Sequence, residues 1–215
     1  MITVGLIRAI MPSCRNPELW APELSSALDL YKITDPDAVA AFLAQVAVES
    51  AEMNRVEENL SYSAPRLCAV WPKRFPTLAD AEPYARNPQA LAGKVYDGRM
   101  GNGPGDGWKF RGRGLKMVTG RNNYKALDAA TGWPVLSDPD MLLLPKYAAA
   151  SAAHFWASQP QDLSKIADDL PDDDDEADFI SISKVVNGGT IGLPERQRYW
   201  QRARKALGLL RAGEE

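Results

Sequence analysis

The stretch DPDAVAAFLAQVAVES, residues 35–50, carries the strongest helical pattern in the chain. Asp35 followed by Pro36 is typical of a helix start, because aspartate can cap the first turn and proline fits the first helical position. Apolar residues then continue up to Glu49, and Val46 lies on the same face of the helix as Glu49. We therefore predict a largely buried helix that ends at Glu49.

Other segments show the same helical spacing and few show the alternation of a strand. The helical segments are PELWAPELSSALDLYKI at 17–33, short starts at 63–65, 77–80 and 87–88, ASAAHFWAS at 150–158, DFISISKVVN at 178–187 and PERQRYWQRARKALGLL at 194–210. The best candidate for a brief strand is KMVT at 116–119. The predicted class is mainly α with little or no β structure.

The composition limits the chemistry. A chain of 215 residues with 45% apolar residues suits one domain with a sizeable core. No apolar run reaches the ~18–20 residues of a membrane span, and no signal peptide is evident. The single histidine, His154, excludes a multi-histidine metal site, and we expect it to be a core residue. With only two cysteines, Cys14 and Cys68, the chain cannot form a framework of several disulfides. A single disulfide between them is possible, but two reduced thiols are favoured.

The net charge of −3 is unevenly distributed. The segment DDLPDDDDEAD at 168–178 holds eight acids and no base, so the remainder carries +5. A basic body favours anionic partners such as cell-wall polymers, nucleic acid or membrane. The acidic run lacks the alternating spacing of a calcium loop and is predicted to be a solvated loop. The basic segment at 194–210 is predicted to dock on the core with its basic face outward rather than to lie on a membrane.

The stretch GRMGNGPGDGWKFRGRG, residues 98–114, contains seven of the 16 glycines, with aromatic and basic residues between them. We expect a long loop without secondary structure of its own, in which glycine allows close approach of the backbone to a ligand. It lacks the phosphate-loop pattern of nucleotide-binding proteins. Stacking on single-stranded nucleic acid is an alternative, but the chain is not strongly basic. A sugar-binding site is favoured, because aromatic faces pack on sugar rings.

Two glutamates are candidates for acid–base chemistry. Glu49 projects from the core-facing stripe of its helix, where partial desolvation favours the protonated form that a general acid needs. Glu58 follows nine residues later and could face Glu49 if the chain breaks near 50–53. A carboxylate pair with room for a water suits inverting glycoside hydrolysis. The alternatives are a helix-end glutamate paired with an arginine for Glu49, and a solvated turn for Glu57 and Glu58.

Five motifs occur in order over nearly the whole chain: AFLAQVAVES, EENLSYSA, VYDGRMGNGPGDGWKFRGRGLKMVTGRNNY, VVNGG and PERQRYW. Together they resemble glycoside hydrolase family 19, in particular the chitinase-like endolysins of bacteriophages. The most specific match is GDGWKFRGRG followed by TGRNNY. The resemblance implies a lysozyme-like α-helical fold with a catalytic cleft between two lobes. It implies one catalytic domain over 1–215, with a small helical sub-lobe at 64–98 and no separate wall-binding domain.

The resemblance also assigns roles to residues. Glu49 matches the general acid, Glu58 the base that activates water, and Thr119 the hydroxyl residue that helps to hold this water. The expected substrate-binding residues are Tyr62, Trp108, Arg113, Asn123, Asn187 and Arg196, of which Arg196 is also expected near the acid. No metal or organic cofactor is implied.

The chain departs from the family pattern at three places. The histidine that usually precedes the acid is Val48, and the usual glycine pair after it is Ala51-Glu52. An isoleucine–glutamine pair is replaced by Lys116-Met117, which removes an amide that often touches substrate. Reduced or altered activity is therefore an open alternative.

The function expected from the residues and the resemblance is hydrolysis, with inversion, of β-1,4 bonds between amino sugars of peptidoglycan for host lysis. The expected partner is the glycan strand, without nucleic acid or stable membrane insertion, and the protein is expected to be a monomer. It would stay in the host cytoplasm until its release to the cell wall at lysis. The alternatives are a chitinase acting on chitin oligomers, a weakened glycan-binding protein and, last, a nucleic-acid-binding protein.

Overall fold

The protein is described by a computed structural model over residues 1–168 and 175–210. Helices dominate, and the β structure of these residues consists of isolated bridges from Arg113 to Glu57 and Val118. The prediction of a mainly α class is therefore confirmed. The expected strand KMVT does not form, since only Val118 of this segment takes part in a bridge. The part of the acidic run at 169–174 lies outside the described residues.

The chain divides into two compact units. Unit 1 consists of Met1–Val56, Gly114–Lys116 and Leu143–Glu215, and unit 2 consists of Glu57–Arg113 and Met117–Leu142. The segment 64–98, which we expected to form a helical sub-lobe, lies within unit 2. That the whole chain acts as a single catalytic domain stays a prediction.

The helices are given in chain order. They are α1 (Val4–Ile10), α2 (Pro17–Leu30), α3 (Pro36–Glu49), α4 (Ala64–Val70), α5 (Leu78–Ala81), α6 (Pro88–Tyr96), α7 (Asp106–Lys109), α8 (Arg121–Thr131), α9 (Pro145–Ala157), α10 (Leu163–Ala167), α11 (Asp175–Asn187) and α12 (Leu193–Leu207), with 3₁₀ turns at Glu82–Tyr84 and Pro139–Leu143.

Helix α3 forms the centre of unit 1, and every residue from 38 to 47 is buried. Asp35 caps it by accepting hydrogen bonds from backbone N–H groups of the first turn, and Pro36 takes the first helical position, as predicted. Helix α12 packs along α3, which confirms that this helix docks on the core, and α2 packs on α9. The expectation that its basic residues face outward is wrong for Arg196 and Arg204, which are buried. The buried packing of α3 gives Glu49, its last residue, a rigid support.

Unit 2 has a hydrophobic core of its own, formed where Leu67, Phe75 and Leu91 meet. The predicted helix starts are confirmed by side-chain caps on α4, α5 and α6, which come from Ser63, Thr77 and Asn87. These side-chain caps fix the start of each short helix of unit 2.

The glycine-rich stretch is more ordered than the sequence suggested, because α7 forms one helical turn within it. The carboxylate of Asp97 accepts hydrogen bonds from the backbone N–H groups of Gly105 and Gly107, at 2.8 and 2.7 Å. A Cβ atom at Gly107 would collide with the backbone carbonyl of Ala92. This glycine therefore permits close packing within unit 2, in addition to any role toward a ligand.

The predicted break after Glu49 is present as a left-handed turn. Ala51, Glu52 and Met53 have φ angles of 49°, 57° and 59°, a region that costs residues with a Cβ atom about 1–2 kcal/mol each. The buried Glu52 carboxylate accepts hydrogen bonds from the backbone N–H of Ser13 and, at 2.7 Å, from the hydroxyl of Tyr199. These bonds offset the strain at a place where the family pattern has glycine.

We expect Glu52→Ala to lower the free energy of unfolding by about 3 kcal/mol, because two hydrogen bonds to a buried carboxylate are lost. Burial and the nearby Glu52 raise the pKa of Tyr199 to about 12, so its hydroxyl donates throughout the neutral range. Glu52→Gly should cost about 1 kcal/mol less than Glu52→Ala, since glycine relieves the left-handed strain. Urea denaturation of both variants checks this; a glycine variant less stable than the alanine variant would contradict it.

The histidine and the cysteines are placed in packed surroundings. His154 lies on α9, half-buried, with its ring edge-on to Tyr31, and burial lowers its pKa. His154 therefore lies at the edge of the core, whereas the sequence had predicted a residue within it. Cys14 and Cys68 are both free thiols, and burial raises the pKa of Cys14. Within residues 1–168 and 175–210, no helix has the length and apolar character that crossing a membrane requires.

Candidate active site

Glu49 lies at the end of α3 with its side chain 15% exposed, in contact with a buried arginine. The Nη2 atom of Arg196, on α12, donates to Oε1 of Glu49 at 2.6 Å. The same guanidinium donates to Oε1 of Gln45 at 2.6 Å and to Oδ1 of Asn187 at 3.3 Å. The arginine pairing that we had considered as an alternative is thus present, together with the expected neighbours Arg196 and Asn187.

The spacing of the helix explains this arrangement. Gln45 precedes Glu49 by four residues, so both side chains lie on one face of α3. The Nε2 atom of Gln45 donates at 2.8 Å to the hydroxyl of Ser183 on α11. Residues from three helices therefore fix the carboxylate of Glu49 within unit 1.

A second cation, Lys116, lies beside Glu49. Its Nζ atom is 3.8 Å from Oε2 of Glu49 and lies over the ring of Phe155, 4.7 Å from the ring centroid. Burial lowers the pKa of Lys116, and the negative charge of Glu49 opposes this shift. Sequence reasoning had noted Lys116 only as a departure from the family pattern. Its proximity to Glu49 depends on tertiary structure, so no local signal identifies it.

A small pocket adjoins this cluster and has mostly apolar walls. Its lining residues, besides Glu49 and Lys116, are Phe42, Gln45, Val46, Leu115, Ala152, Phe155, Trp156 and Val186. Such walls exclude water from one side of the carboxylate and strengthen its interactions with the two cations.

Glu58, in unit 2, is held by neutral donors. Its Oε1 accepts a hydrogen bond from the backbone N–H of Gly112 at 2.5 Å, and its Oε2 accepts one from the hydroxyl of Tyr96 at 2.7 Å. Burial and the negative charge of Glu58 raise the pKa of Tyr96, so this hydroxyl remains a donor. Both donors stabilise the ionised carboxylate that a general base requires. Glu58 is therefore held by two hydrogen bonds and is not the glutamate of a solvated turn, the alternative that the sequence left open.

Thr119 lies next to the same glycine. A Cβ atom at Gly112 would come within 3.1 Å of Oγ1 of Thr119 and 3.4 Å of Cδ of Glu58, so the glycine leaves space between them. The Thr119 hydroxyl donates to the carbonyl of Met117 at 2.9 Å and keeps acceptor capacity. The exposed Asn123 donates to the carbonyl of Thr119 at 2.8 Å. Unit 2 thus brings Glu58, Thr119 and Asn123 into one neighbourhood.

The expected aromatic residues lie on the surface of the unit 2 core. The ring of Tyr62 packs edge-on against Trp71, and the Arg111 guanidinium lies over the ring of Trp108, 3.9 Å from the ring centroid. Arg111 also forms an ion pair with Glu57. This pairing replaces the solvated turn that we had considered for Glu57. Contact of either aromatic residue with a sugar stays a prediction.

Arg113 has a structural environment. It is 2% exposed and donates from Nη1 to the carbonyl of Lys109 at 2.8 Å and to the hydroxyl of Tyr124 at 3.1 Å. Its Nη2 is 2.7 Å from the carboxylate of Asp140. These contacts hold the glycine-rich stretch from within unit 2, so we assign Arg113 to positioning; direct contact with substrate stays a prediction.

Sequence reasoning missed Tyr96 and Lys116, two of the residues that contact the candidate carboxylates. Tyr96 is the second residue of a quoted motif, but the motif did not indicate its partner, which lies 38 residues away. Among the described residues, no cluster of three or more histidine, cysteine, aspartate or glutamate side chains could hold a metal ion.

Comparison with known proteins identifies the class. No family model matches the chain. A glycosyl hydrolase family 19 domain-containing protein of Haemophilus influenzae is 33% identical over 168 residues, which cover 75% of this chain and 76% of that protein.

Solved structures share the fold. A mutant of chitinase C has a TM-score of 0.65 at 18% identity and covers 97% of this chain and 93% of its own. Chitinase C from Streptomyces griseus HUT6037 has a TM-score of 0.62 at 17% identity, with 96% and 92% covered. A bacterial family 19 chitinase has a TM-score of 0.64 at 18% identity, with 99% and 97% covered.

The fold is therefore the mainly α, lysozyme-like fold of these chitinases, and the protein is a glycoside hydrolase. The chain belongs to glycoside hydrolase family 19.

We expect Tyr96→Phe to lower kcat/KM by about 10-fold, because phenylalanine cannot donate the hydrogen bond that orients the Glu58 carboxylate. Steady-state kinetics measure this change. Tyr84→Phe, in the same unit, is the control, and an equal loss in both variants would contradict the role of Tyr96.

Proposed function

We propose that this family 19 hydrolase is an endolysin that cleaves β-1,4 bonds between amino sugars of bacterial peptidoglycan with inversion. The observation that carries the proposal is the contrast between two carboxylates. Glu49 lies among cations, whereas Glu58 accepts hydrogen bonds from neutral donors beside Thr119. Inverting glycoside hydrolysis uses two carboxyl groups, one as acid and one as base, and these two are each held by specific contacts.

Glu49 is the proposed general acid. It donates a proton to the glycosidic oxygen as the bond from that oxygen to the anomeric carbon breaks. Arg196 and Lys116 then stabilise the carboxylate that Glu49 becomes, so the proton is released to the leaving group more readily. The apolar walls beside Glu49 strengthen this effect.

Glu58 is the proposed general base. It removes a proton from water as the water oxygen attacks the anomeric carbon, and Thr119 helps to orient this water through its hydroxyl. Tyr96 and the N–H of Gly112 hold the Glu58 carboxylate in one orientation. The products are two shorter strands, one of which has a new reducing end with inverted configuration.

The peptidoglycan substrate is supported by the motifs shared with phage endolysins and by the charge of +5 that remains outside the acidic run. A basic surface is attracted to an anionic wall. In this proposal the enzyme reaches the wall from the host cytoplasm at lysis. The chitinases with the same fold support the second candidate, hydrolysis of chitin oligomers.

We expect Glu49→Gln to reduce hydrolysis at least about 100-fold, because glutamine cannot donate the proton. Glu58→Gln should cause a large but smaller loss, since Thr119 still contacts the water. Release of reducing ends from purified peptidoglycan measures both variants, and circular dichroism checks that they remain folded.

The matched controls are Glu195→Gln in unit 1 and Glu82→Gln in unit 2, which replace exposed glutamates. Both should retain the wild-type rate. Full activity of Glu49→Gln would remove this residue from the acid role, and an unchanged rate for Glu58→Gln would refute its role as base.

Turnover of purified peptidoglycan should exceed turnover of soluble chitin oligomers, and outer-membrane-permeabilised Gram-negative cells should lyse. A protein that cleaves only chitin oligomers is a chitinase, as the second candidate states. A protein that binds peptidoglycan without releasing products is the weakened glycan-binding protein that Val48 and Met117 left open.

A further inference from the structure

The starting observation is that the two oxygens of Glu49 have different partners. Oε1 accepts the 2.6 Å hydrogen bond from Arg196. Oε2 lies 3.8 Å from the Nζ atom of Lys116, a distance longer than a hydrogen bond. Because Oε1 is occupied by a donor, Oε2 is the oxygen that can carry the transferable proton. The leaving oxygen of the substrate therefore has to approach Oε2, on the side where Lys116 lies.

Lys116 has donors to spare on that side. An ammonium group has three donors. The Nζ atom of Lys116 lies 3.8 Å from Oε2 of Glu49 and over the face of the Phe155 ring. Its side chain is only 18% exposed, so water satisfies it poorly. A partly buried ammonium whose ionic partner lies 3.8 Å away is only partly compensated, and a closer ligand acceptor would offset the remaining cost.

The local charge indicates what kind of acceptor fits. Arg196 and Lys116 contribute two positive charges, and the ionised Glu49 contributes one negative charge. The cluster keeps one excess positive charge in this state and two when Glu49 is protonated and ready to act. An anionic group near the leaving oxygen would balance this excess, whereas a neutral sugar would not.

We infer that Lys116 is a specificity-determining residue that binds a carboxylate on the sugar whose O4 is the leaving oxygen. This inference rests on the proposed function of Glu49 as the acid. In amino-sugar strands, N-acetylmuramic acid carries a lactyl ether on O3, the atom vicinal to O4. Once the peptide has been removed, the lactyl group ends in a free carboxylate that lies close to the oxygen that Glu49 protonates.

The inference names both the bond and the substrate. The scissile bond joins C1 of N-acetylglucosamine to O4 of N-acetylmuramic acid, and within peptidoglycan the muramic acid residues without peptide are the preferred sites. Proton transfer from Glu49 to O4 leaves muramic acid with a free 4-hydroxyl, while water adds to C1 of N-acetylglucosamine. The new reducing ends are therefore N-acetylglucosamine.

Three substrates of equal length separate the possibilities. They are a neutral N-acetylglucosamine oligomer, an alternating oligomer with free lactyl carboxylates, and the same alternating oligomer with the carboxylates converted to methylamides. The proteins compared are the wild type, Lys116→Met, Lys116→Arg and the control Lys184→Met, which changes an exposed lysine of unit 1. The measurements are kcat/KM and mass spectrometry of borohydride-reduced products.

We expect the wild type to prefer the free carboxylate over the methylamide by about 10- to 100-fold, the range of a charge-assisted hydrogen bond. Lys116→Met should lower kcat/KM on every substrate, because Lys116 also stabilises the Glu49 carboxylate, and should in addition abolish the preference, so that the free carboxylate and the methylamide are cleaved with equal kcat/KM. Lys116→Arg, which keeps the charge, should retain most of the preference, and Lys184→Met should match the wild type. The reduced sugar in the products should be N-acetylglucosaminitol.

Two results would overturn the inference and leave the proposed function intact. The first is an equal fold-decrease in kcat/KM on all three substrates for Lys116→Met, with the preference for the free carboxylate retained. This result would mean that Lys116 acts only through Glu49. The second is muramic acid at the reducing end of the products. A wild type that cleaves only the neutral oligomer would refute the proposed function itself, together with the inference.

Discussion

The buried guanidinium of Arg196 is the interaction on which the arrangement of unit 1 around Glu49 depends. It is 3% exposed and connects α12 to α3 through Glu49 and Gln45, and to the end of α11 through Asn187. A charge buried to this degree is stable only when its partners are in place. The position of the carboxylate is therefore a consequence of helix packing, and the direction of its free oxygen follows from the oxygen that Arg196 occupies.

Unit 2 uses a different physical means to hold its carboxylate. Glu58 is oriented by a tyrosine hydroxyl and a backbone N–H group, which donate without adding charge. The left-handed turn after α3, in unit 1, is also held by polar contacts. The Glu52 carboxylate accepts hydrogen bonds there, where the backbone is strained. In both places the carboxylate is held by polar groups from distant parts of the chain.

Local features of the fold could be predicted from the sequence. Asp35 and Pro36 define the start of α3 because a cap and a proline act within one turn, and the helix ends at Glu49 as its pattern indicates. The glycine-rich stretch was harder, since Asp97 orders it through bonds that its composition does not show. The contacts of Tyr96 and Lys116 could not be predicted, because their partners are distant in sequence and have no periodicity that points to them.

The division at residue 116 has a consequence for how the enzyme can change. Lys116 belongs to unit 1 and the next residue, Met117, belongs to unit 2. A motif comparison treats them as one altered pair, yet Lys116 contacts the carboxylate of Glu49 whereas the carbonyl of Met117 accepts the hydrogen bond of Thr119. A substitution of Lys116 by an uncharged residue removes a positive charge beside Glu49. A substitution of Met117 leaves in place the backbone carbonyl that accepts the hydrogen bond of Thr119. The two neighbouring residues therefore have different contacts, and each has to be considered separately rather than as one altered pair.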